Sequence, residues 1–329
     1  MHNDKVKKVA IPFVIVLAVL KAGINFRGYD FYGIPAAKIF PHFYQFYSTS
    51  FGDLALAHIF HIYQRWSWMT LHIFLTLTYF IILCRSYLRS KVVVGDKTVF
   101  FLLIFSQITT LSLQEIGFYD ILMLLGSLIA IANVSKIFKF SFGVILMSSG
   151  NPEQSFMALT LLSIISLFIV KSKLIRRNIF IGVFLTISIL FVTTFWSQGA
   201  GRESYLGSEI LRTATKNFIL SFPYSILAIL GPLSFIIFAS KKYLDKKEYL
   251  TFLFSVIFIP ALLSAIALDG SRVAICVSAA PLIYFLKFLV DEKNFKLDPK
   301  DWVFMVLFPP ILVWGPGVLS ISWQRLFSI

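Results

Sequence analysis

The feature that constrains this chain most is a series of apolar runs that recur along its whole length and are separated by short segments rich in Lys and Arg. About 20 apolar residues can cross a bilayer as a helix, because a helix satisfies its own backbone hydrogen bonds. Only 14% of the residues are charged, whereas a soluble domain carries roughly 25%. We therefore predict an all-α, polytopic transmembrane helical bundle that forms one integral membrane domain over residues 1–329.

The apolar runs predict about eleven spans. The first is expected to be retained as a span, since no small-residue cleavage site follows it before Lys21. The predicted spans are residues 9–22, 68–84, 98–114, 119–135, 138–149, 154–171, 179–197, 218–240, 249–267, 273–290 and 302–320.

The distribution of basic residues predicts the orientation. If the N-terminus is cytoplasmic, 21 of the 30 Lys and Arg residues fall on the inner side, as the positive-inside rule requires. The net charge of +14 is then a topology signal that anionic membrane lipids can balance, and no nucleic-acid partner is needed. We expect a multi-pass protein of the bacterial inner (plasma) membrane.

The loops predict that function lies on the outer face. The inner loops are short and contain neither a GxxxxGK[ST] phosphate loop nor a GxGxxG motif, which disfavours nucleotide-driven chemistry. The outer side has a long loop, residues 23–67, and a second loop, residues 198–217. The long loop is rich in aromatic residues, and its segment 53–66 is predicted to form an interfacial helix. Those aromatic side chains could serve as membrane anchors or as sugar-stacking groups.

Acidic residues near the outer helix ends are the candidate catalytic groups, because carboxylates at the edge of a membrane are costly to keep there. They are Asp53, Asp30, Glu115, Asp120 and Glu153. A partly desolvated carboxylate can take a proton from an attacking sugar hydroxyl. Glu153 has a second interpretation, since it follows Asn151 and Pro152 and could simply start a helix.

Outer cations and their neighbours are the candidate substrate-binding residues. Guanidinium groups donate paired hydrogen bonds to phosphate oxygens, so several of them on an outer face suggest an anionic ligand. Asp269 and Arg272 could alternatively form a local ion pair. The candidates are Arg27, His58, His61, Arg65, Arg202, Arg272 and Asp269.

No cofactor is predicted from the motifs. Asp53, His58 and His61 could share a divalent metal, but their spacing is not that of HExxH, so no metal site is assigned. There is no GxSxG nucleophile motif, and Cys84 and Cys276 are interpreted as packing residues.

The layout resembles bacterial polytopic enzymes of surface-polysaccharide assembly. It looks like the glycosyltransferase C superfamily, because Asp30 and Asp53 lie in the first long outer loop. It is also similar to the O-antigen polymerase and ligase type, on account of the outer arginines in DGSRVA and GAGRES. The resemblance implies a donor sugar linked to polyprenyl phosphate or diphosphate and a glycan or lipid acceptor, as in O-antigen, capsule or exopolysaccharide assembly.

Two other functions remain open from the sequence. A polytopic transporter or flippase of lipid-linked glycans would also use charged groups and broken helices, although it would typically place ionisable residues near mid-span. A non-catalytic membrane scaffold would require no convergence of acids and arginines. The first hypothesis is a hexosyltransferase-type membrane enzyme that uses a lipid-linked donor.

Overall fold

The apolar runs form helices in the computed structural model, which describes residues 2–26, 33–41, 50–88, 95–196, 226–264, 270–314 and 318–321. The first half holds α1 (His2–Ala22), α2 (Ile34–Ile39), α3 (Gly52–Ile59), α4 (Arg65–Leu83, continued by a π-helical turn, Cys84–Leu88), α5 (Gly95–Ile104), α6 (Gln107–Gln114), α7 (Asp120–Ala132), α8 (Ile137–Gly150) and α9 (Pro152–Phe168). The second half holds α10 (Lys173–Trp196), α11 (226–230), a 3-10 turn (Gly231–Leu233), α12 (Ile236–Ser240), α13 (Lys246–Phe252), a π-helical segment (Leu253–Phe258), α14 (Ile259–Ser264), α15 (Gly270–Asp291) and α16 (Pro299–Leu307).

The structure confirms a helical chain with several candidate membrane spans but not the count of eleven. Within the described ranges, four helical segments are long and apolar enough to cross a bilayer: Arg65–Leu88, Lys173–Phe195, Lys246–Ser264 and Arg272–Asp291. A fifth arises if α5 and α6, which meet at a bend of 47°, count together. Helices α7, α8 and α9 have 13, 14 and 17 residues, below the ~20 that cross a bilayer unaided. The cytoplasmic location of the N-terminus stays a prediction.

The predicted last span, residues 302–320, is wrong as a continuous helix. Helix α16 ends at Leu307, and Pro309 and Pro310 follow it directly. Proline lacks a backbone N–H and restricts the residue before it, so the helix cannot continue through this pair. The chain then forms an antiparallel hairpin of β1 (Ile311–Trp314) and β2 (Val318–Ile321).

The predicted interfacial helix over residues 53–66 is shorter than expected. Helix α3 ends at Ile59, and α4 begins at Arg65. Between them His61 adopts a φ of 52°, a left-handed conformation that a continuing helix does not contain. The second outer loop, residues 198–217, lies outside the described residues.

Helix α15 occupies the centre of the bundle. Of its apolar window 89% is buried, against 28% for the window of α10, so α15 is surrounded by protein and α10 is peripheral. Beside it, α7 and α8 approach each other closely. A Cβ on Gly126 would lie 2.5 Å from the backbone nitrogen of Met147, and a Cβ on Gly143 would lie 2.5 Å from that of Ala130. Small residues at a helix crossing allow such contact in membrane bundles.

Two interruptions of helical structure meet inside the bundle. The break between α5 and α6 precedes Gln107, whose side chain is fully buried. The break after α11 falls at Gly231, which has a φ of 50°. A Cβ on Gly231 would lie 2.6 Å from Cγ and Cδ of Gln107, so the two breaks are in direct contact. Irregular backbone at membrane depth is tolerated where protein buries it or where it lines a cavity.

Candidate functional site

Several helix ends converge on the 115–119 turn, defined as the residues that join α6 to α7. Ile116 N donates to the carbonyl oxygen of Asn25, just after α1, at 3.2 Å. Trp68 Nε1, near the start of α4, donates to the carbonyl oxygen of Gly117 at 3.2 Å. A Cβ on Gly150, at the end of α8, would lie 2.9 Å from the carbonyl oxygen of Tyr119. The ends of α1, α4, α6, α7 and α8 therefore lie at the same end of the bundle.

Asp120 and Arg272 form an ion pair beside this turn. Arg272 Nε lies 3.7 Å from Asp120 Oδ2, and the carboxylate is 1% exposed and the guanidinium side chain 13%. The guanidinium carbon also lies 5.0 Å from the centroid of the Phe118 ring and 5.7 Å from that of Tyr119. Cation–π contacts of this kind strengthen in a desolvated environment. The structure thus brings together two of the predicted residues, one from the start of α7 and one from the start of α15.

Glu115 and Cys276 extend this charged group. Cys276 lies one turn after Arg272 on α15, and its thiol donates to Asp120 Oδ1 at 3.5 Å. Glu115, the first residue of the 115–119 turn, is itself buried at the end of α6. The Asp120 carboxylate, the Arg272 guanidinium and the Cys276 thiol consequently share a small volume next to the turn that begins at Glu115.

Asp53 forms a second buried pair, with His72 on α4. Asp53 Oδ2 lies 3.5 Å from His72 Nε2, and both side chains are 0% exposed. The other carboxylate oxygen, Oδ1, accepts a hydrogen bond from Leu54 N at 2.9 Å. The His72 ring lies 4.6 Å from the ring of Trp68, which also bonds the 115–119 turn. Trp68 therefore connects the Asp53–His72 pair to the end of the bundle that holds Asp120 and Arg272.

The other described candidates lie apart from these buried pairs. His58 is half-buried and contacts the carbonyl oxygen of Ala37 through Nδ1 at 3.2 Å. His61 and Arg65 are exposed at the junction of α3 and α4. Glu153 is half-buried in the first turn of α9, where the side chain of Asn151 caps the helix. This is the helix-start arrangement that the sequence also allowed. Four candidates fall outside the described residues: Arg27, Asp30, Arg202 and Asp269.

The alternative pairing of Arg272 with Asp269 stays a prediction, because Asp269 lies outside the described residues. Arg272 pairs with Asp120, which is 152 positions away along the chain. Asp120 lies at the N-terminus of α7, where an acidic residue also complements the helix dipole.

A metal site is not formed by the described side chains. Within residues 50–88 and the other described ranges, no three His, Cys, Asp or Glu side chains cluster closely enough to hold a metal ion. His58 bonds Ala37 and Tyr63, while Asp53 faces His72.

His72 is not among the residues predicted from the sequence, and Cys276 is interpreted there as a packing residue. A detectable signal existed for His72, because an ionisable residue inside an apolar span is costly and usually has a partner. Cys276 offered no such signal, since a buried cysteine in an apolar helix is common. No family model, curated protein or solved structure matches this chain.

Proposed function

We propose that this protein is a membrane glycosyltransferase or polysaccharide polymerase that uses a sugar donor linked to polyprenyl phosphate or diphosphate. It would act at the outer face of the bacterial inner membrane, with a glycan or lipid as acceptor. The single observation that carries the proposal is the convergence of Arg272, Asp120, Glu115 and the Asp53–His72 pair on one end of a membrane-embedded bundle.

Arg272 is the proposed ligand of the donor phosphate. Asp120 contacts its Nε, and the rings of Phe118 and Tyr119 lie on its guanidinium. These contacts fix the orientation of a planar group whose fork of N–H donors matches the geometry of phosphate oxygens. A guanidinium held in a desolvated site stabilises the negative charge of a departing phosphate more strongly than it would in water.

The carboxylates supply the proposed base. In the transfer step the acceptor hydroxyl oxygen forms a bond to the anomeric carbon while the bond from that carbon to the phosphate oxygen breaks. The electron pair leaves with the phosphate, and the hydroxyl proton passes to a carboxylate. Asp53, with the imidazole of His72 beside it, is the first choice for this role, and Glu115 is the second.

The direct test is turnover of a polyprenyl diphosphate-linked sugar by the purified chain in detergent or nanodiscs. We expect a new glycosidic product, and we expect Arg272→Gln to lower the rate of glycosyl transfer by about ten-fold or more. Arg85→Gln is the matched control, since Arg85 is an exposed arginine in the π-helical turn at the opposite end of α4. Absence of product with correctly folded wild-type protein and a panel of lipid-linked sugars would contradict the proposal.

Transport or flipping of a lipid-linked glycan is the second candidate function. It is favoured by the contact between the two helix breaks, at Gln107 and at Gly231, since transporters commonly use discontinuous helices at their binding sites. The discriminating assay follows fluorescent lipid-linked sugars in liposomes. If the protein is a transporter, the substrate should move between leaflets with its covalent structure unchanged. If it is an enzyme, a new covalent bond should form.

A further inference from the structure

We infer that Asp53 and His72 form a buried proton-binding site in which one proton is held between Asp53 Oδ2 and His72 Nε2. This goes beyond the assignment of Asp53 as a base, because it makes His72 part of the same proton-accepting unit.

The hydrogen bond on the far side of the imidazole fixes the tautomer. His72 Nδ1 lies 3.1 Å from the carbonyl oxygen of Trp68. A backbone carbonyl only accepts hydrogen bonds, so Nδ1 must carry a proton and donate it. In neutral histidine only one ring nitrogen is protonated, which leaves Nε2 with a lone pair directed at Asp53.

The contact of Nε2 with Asp53 then requires a second proton. An ionised carboxylate oxygen and an unprotonated Nε2 are both acceptors, and they face each other at 3.5 Å in a site with 0% exposure of either side chain. Without water to screen them, two acceptors repel. One proton between the two atoms makes the contact attractive, whichever of the two atoms it sits closer to.

An aromatic ring packs against the imidazole of the pair. The Trp68 ring lies 4.6 Å from the His72 ring, and indole is the aromatic group that stabilises a cation best. Asp53 Oδ2 and His72 Nε2 are both buried without a hydrogen-bond partner among the described residues, and the nearest group that either faces is the other at 3.5 Å. The pair therefore depends on its own two members to satisfy these atoms.

Other ionisable groups on α3 and the packed elements have separate environments. Lys38 on α2, Lys139 on α8 and Arg85 after α4 are exposed, Asp120 on α7 pairs with Arg272, and His58 on α3 bonds Ala37 and Tyr63. Tyr119, at the end of the 115–119 turn, lies against the guanidinium of Arg272. Among the described side chains, the proton is therefore assigned to Asp53 and His72.

The site has two states. The arrangement described here corresponds to the loaded state, and loss of the proton leaves two facing acceptors. If the proposed function is correct, the pair releases its proton before the transfer step and then takes the one that the acceptor hydroxyl loses. This role rests on the proposed function, whereas the proton site itself does not.

The test is nitrogen NMR of the full chain, labelled with ¹⁵N at histidine and held in lipid nanodiscs at neutral pH. The variant His72→Gln identifies the His72 signals by their disappearance. We expect the wild-type spectrum to show a proton on Nδ1 and a proton bound to or shared by Nε2. In Asp53→Asn the side-chain amide can donate to Nε2, so Nε2 should change to an unprotonated, acceptor nitrogen at the same pH.

Asp245→Asn is the control, because the Asp245 carboxylate accepts a hydrogen bond from Glu248 N at the start of α13, and its replacement should leave the His72 signals unchanged. An unprotonated Nε2 in the wild type, or an Nε2 that is indifferent to Asp53→Asn, overturns the inference. If Asp53→Asn does not fold, the wild-type spectrum alone decides. A failed glycosyl-transfer assay contradicts only the proposed function, since the NMR measurement involves no substrate.

Discussion

Asp120, the first residue of α7, lies 3.7 Å from Arg272 near the start of α15, and this buried ion pair joins two helices that are far apart in sequence. Burial makes the pair sensitive to the loss of one member, because the remaining charge has been taken out of water.

We therefore expect Asp120→Leu and Arg272→Met to destabilise the protein by about 3–5 kcal/mol each. The double variant should lose less than the sum of the two, since it leaves no isolated charge. The measurement is the free energy of unfolding in detergent by denaturant titration. Additive losses would show that the two side chains do not interact.

The rate of glycosyl transfer should depend on the carboxylate group of Asp53 and not only on the size of its side chain. If it is the base, Asp53→Asn should reduce the rate of glycosyl transfer by about 10²–10⁴-fold, the range that general-base catalysis contributes. Because the amide keeps the size of the carboxylate and can donate to His72, protein abundance should remain close to that of the wild type. Full-length glycan in cells that contain normal amounts of this variant would remove Asp53 from the mechanism.

The crossing of α7 and α8 should not accept larger residues. A Cβ on Gly126 would meet backbone atoms of Met147 and Gly143, at 2.5 and 2.6 Å, and these cannot move without separating the helices. Gly126→Ala is expected to cost about 1–3 kcal/mol, the usual range for overpacking. Gly182→Ala is a graded control, since its nearest contacts, at 2.8 and 3.0 Å, are ring atoms of Phe140 that belong to a side chain. A loss for Gly182→Ala as large as that for Gly126→Ala would contradict this explanation.

Gly231 should resist substitution for two separable reasons. Its φ of 50° is unfavourable for alanine, and a Cβ would contact Gln107 at 2.6 Å. We expect Gly231→Ala to destabilise the bundle by about 1–3 kcal/mol through backbone strain, in addition to the steric cost. When Gln107 is already alanine, the steric contact is absent. Gly231→Ala should then lower the stability of the Gln107→Ala protein only by the part that comes from backbone strain. Thermal unfolding of the four proteins in a double-mutant cycle measures this, and full recovery would show that the backbone conformation carries no cost.

The sequence was informative wherever local composition determines structure. Apolar runs gave the positions of helices such as α4, α10 and α15, because the hydrophobic pattern alone specifies a membrane helix. The sequence was less informative about where a helix is interrupted. The Pro309–Pro310 pair ends the final helical run, and the left-handed φ of His61 separates α3 from α4. These interruptions occupy one or two residues within windows that average about twenty.

The candidate site could be predicted in its residue types but not in its pairs. Asp53, Asp120 and Arg272 were recognisable as costly charges near the membrane. Their partners depend on which helices pack together, and that is tertiary information. Asp269 was the nearest acid to Arg272 in sequence, yet the described partner is Asp120. In the same way Asp53 faces His72 of α4 rather than a histidine of its own loop.

The central location of α15 has a practical consequence for the identification of a ligand. Arg272 belongs to the most enclosed of the long helices, and residues later in this helix reach the opposite end of the bundle, where Lys287 pairs with Asp291. Any molecule that binds the guanidinium of Arg272 therefore binds to α15, the helix that the other helices surround. Occupancy should raise the melting temperature of the whole bundle, since binding to the folded form alone adds about 2.7 kcal/mol at a hundred-fold excess over the dissociation constant. A melting screen of lipid phosphates could thus find the ligand before any reaction product is known.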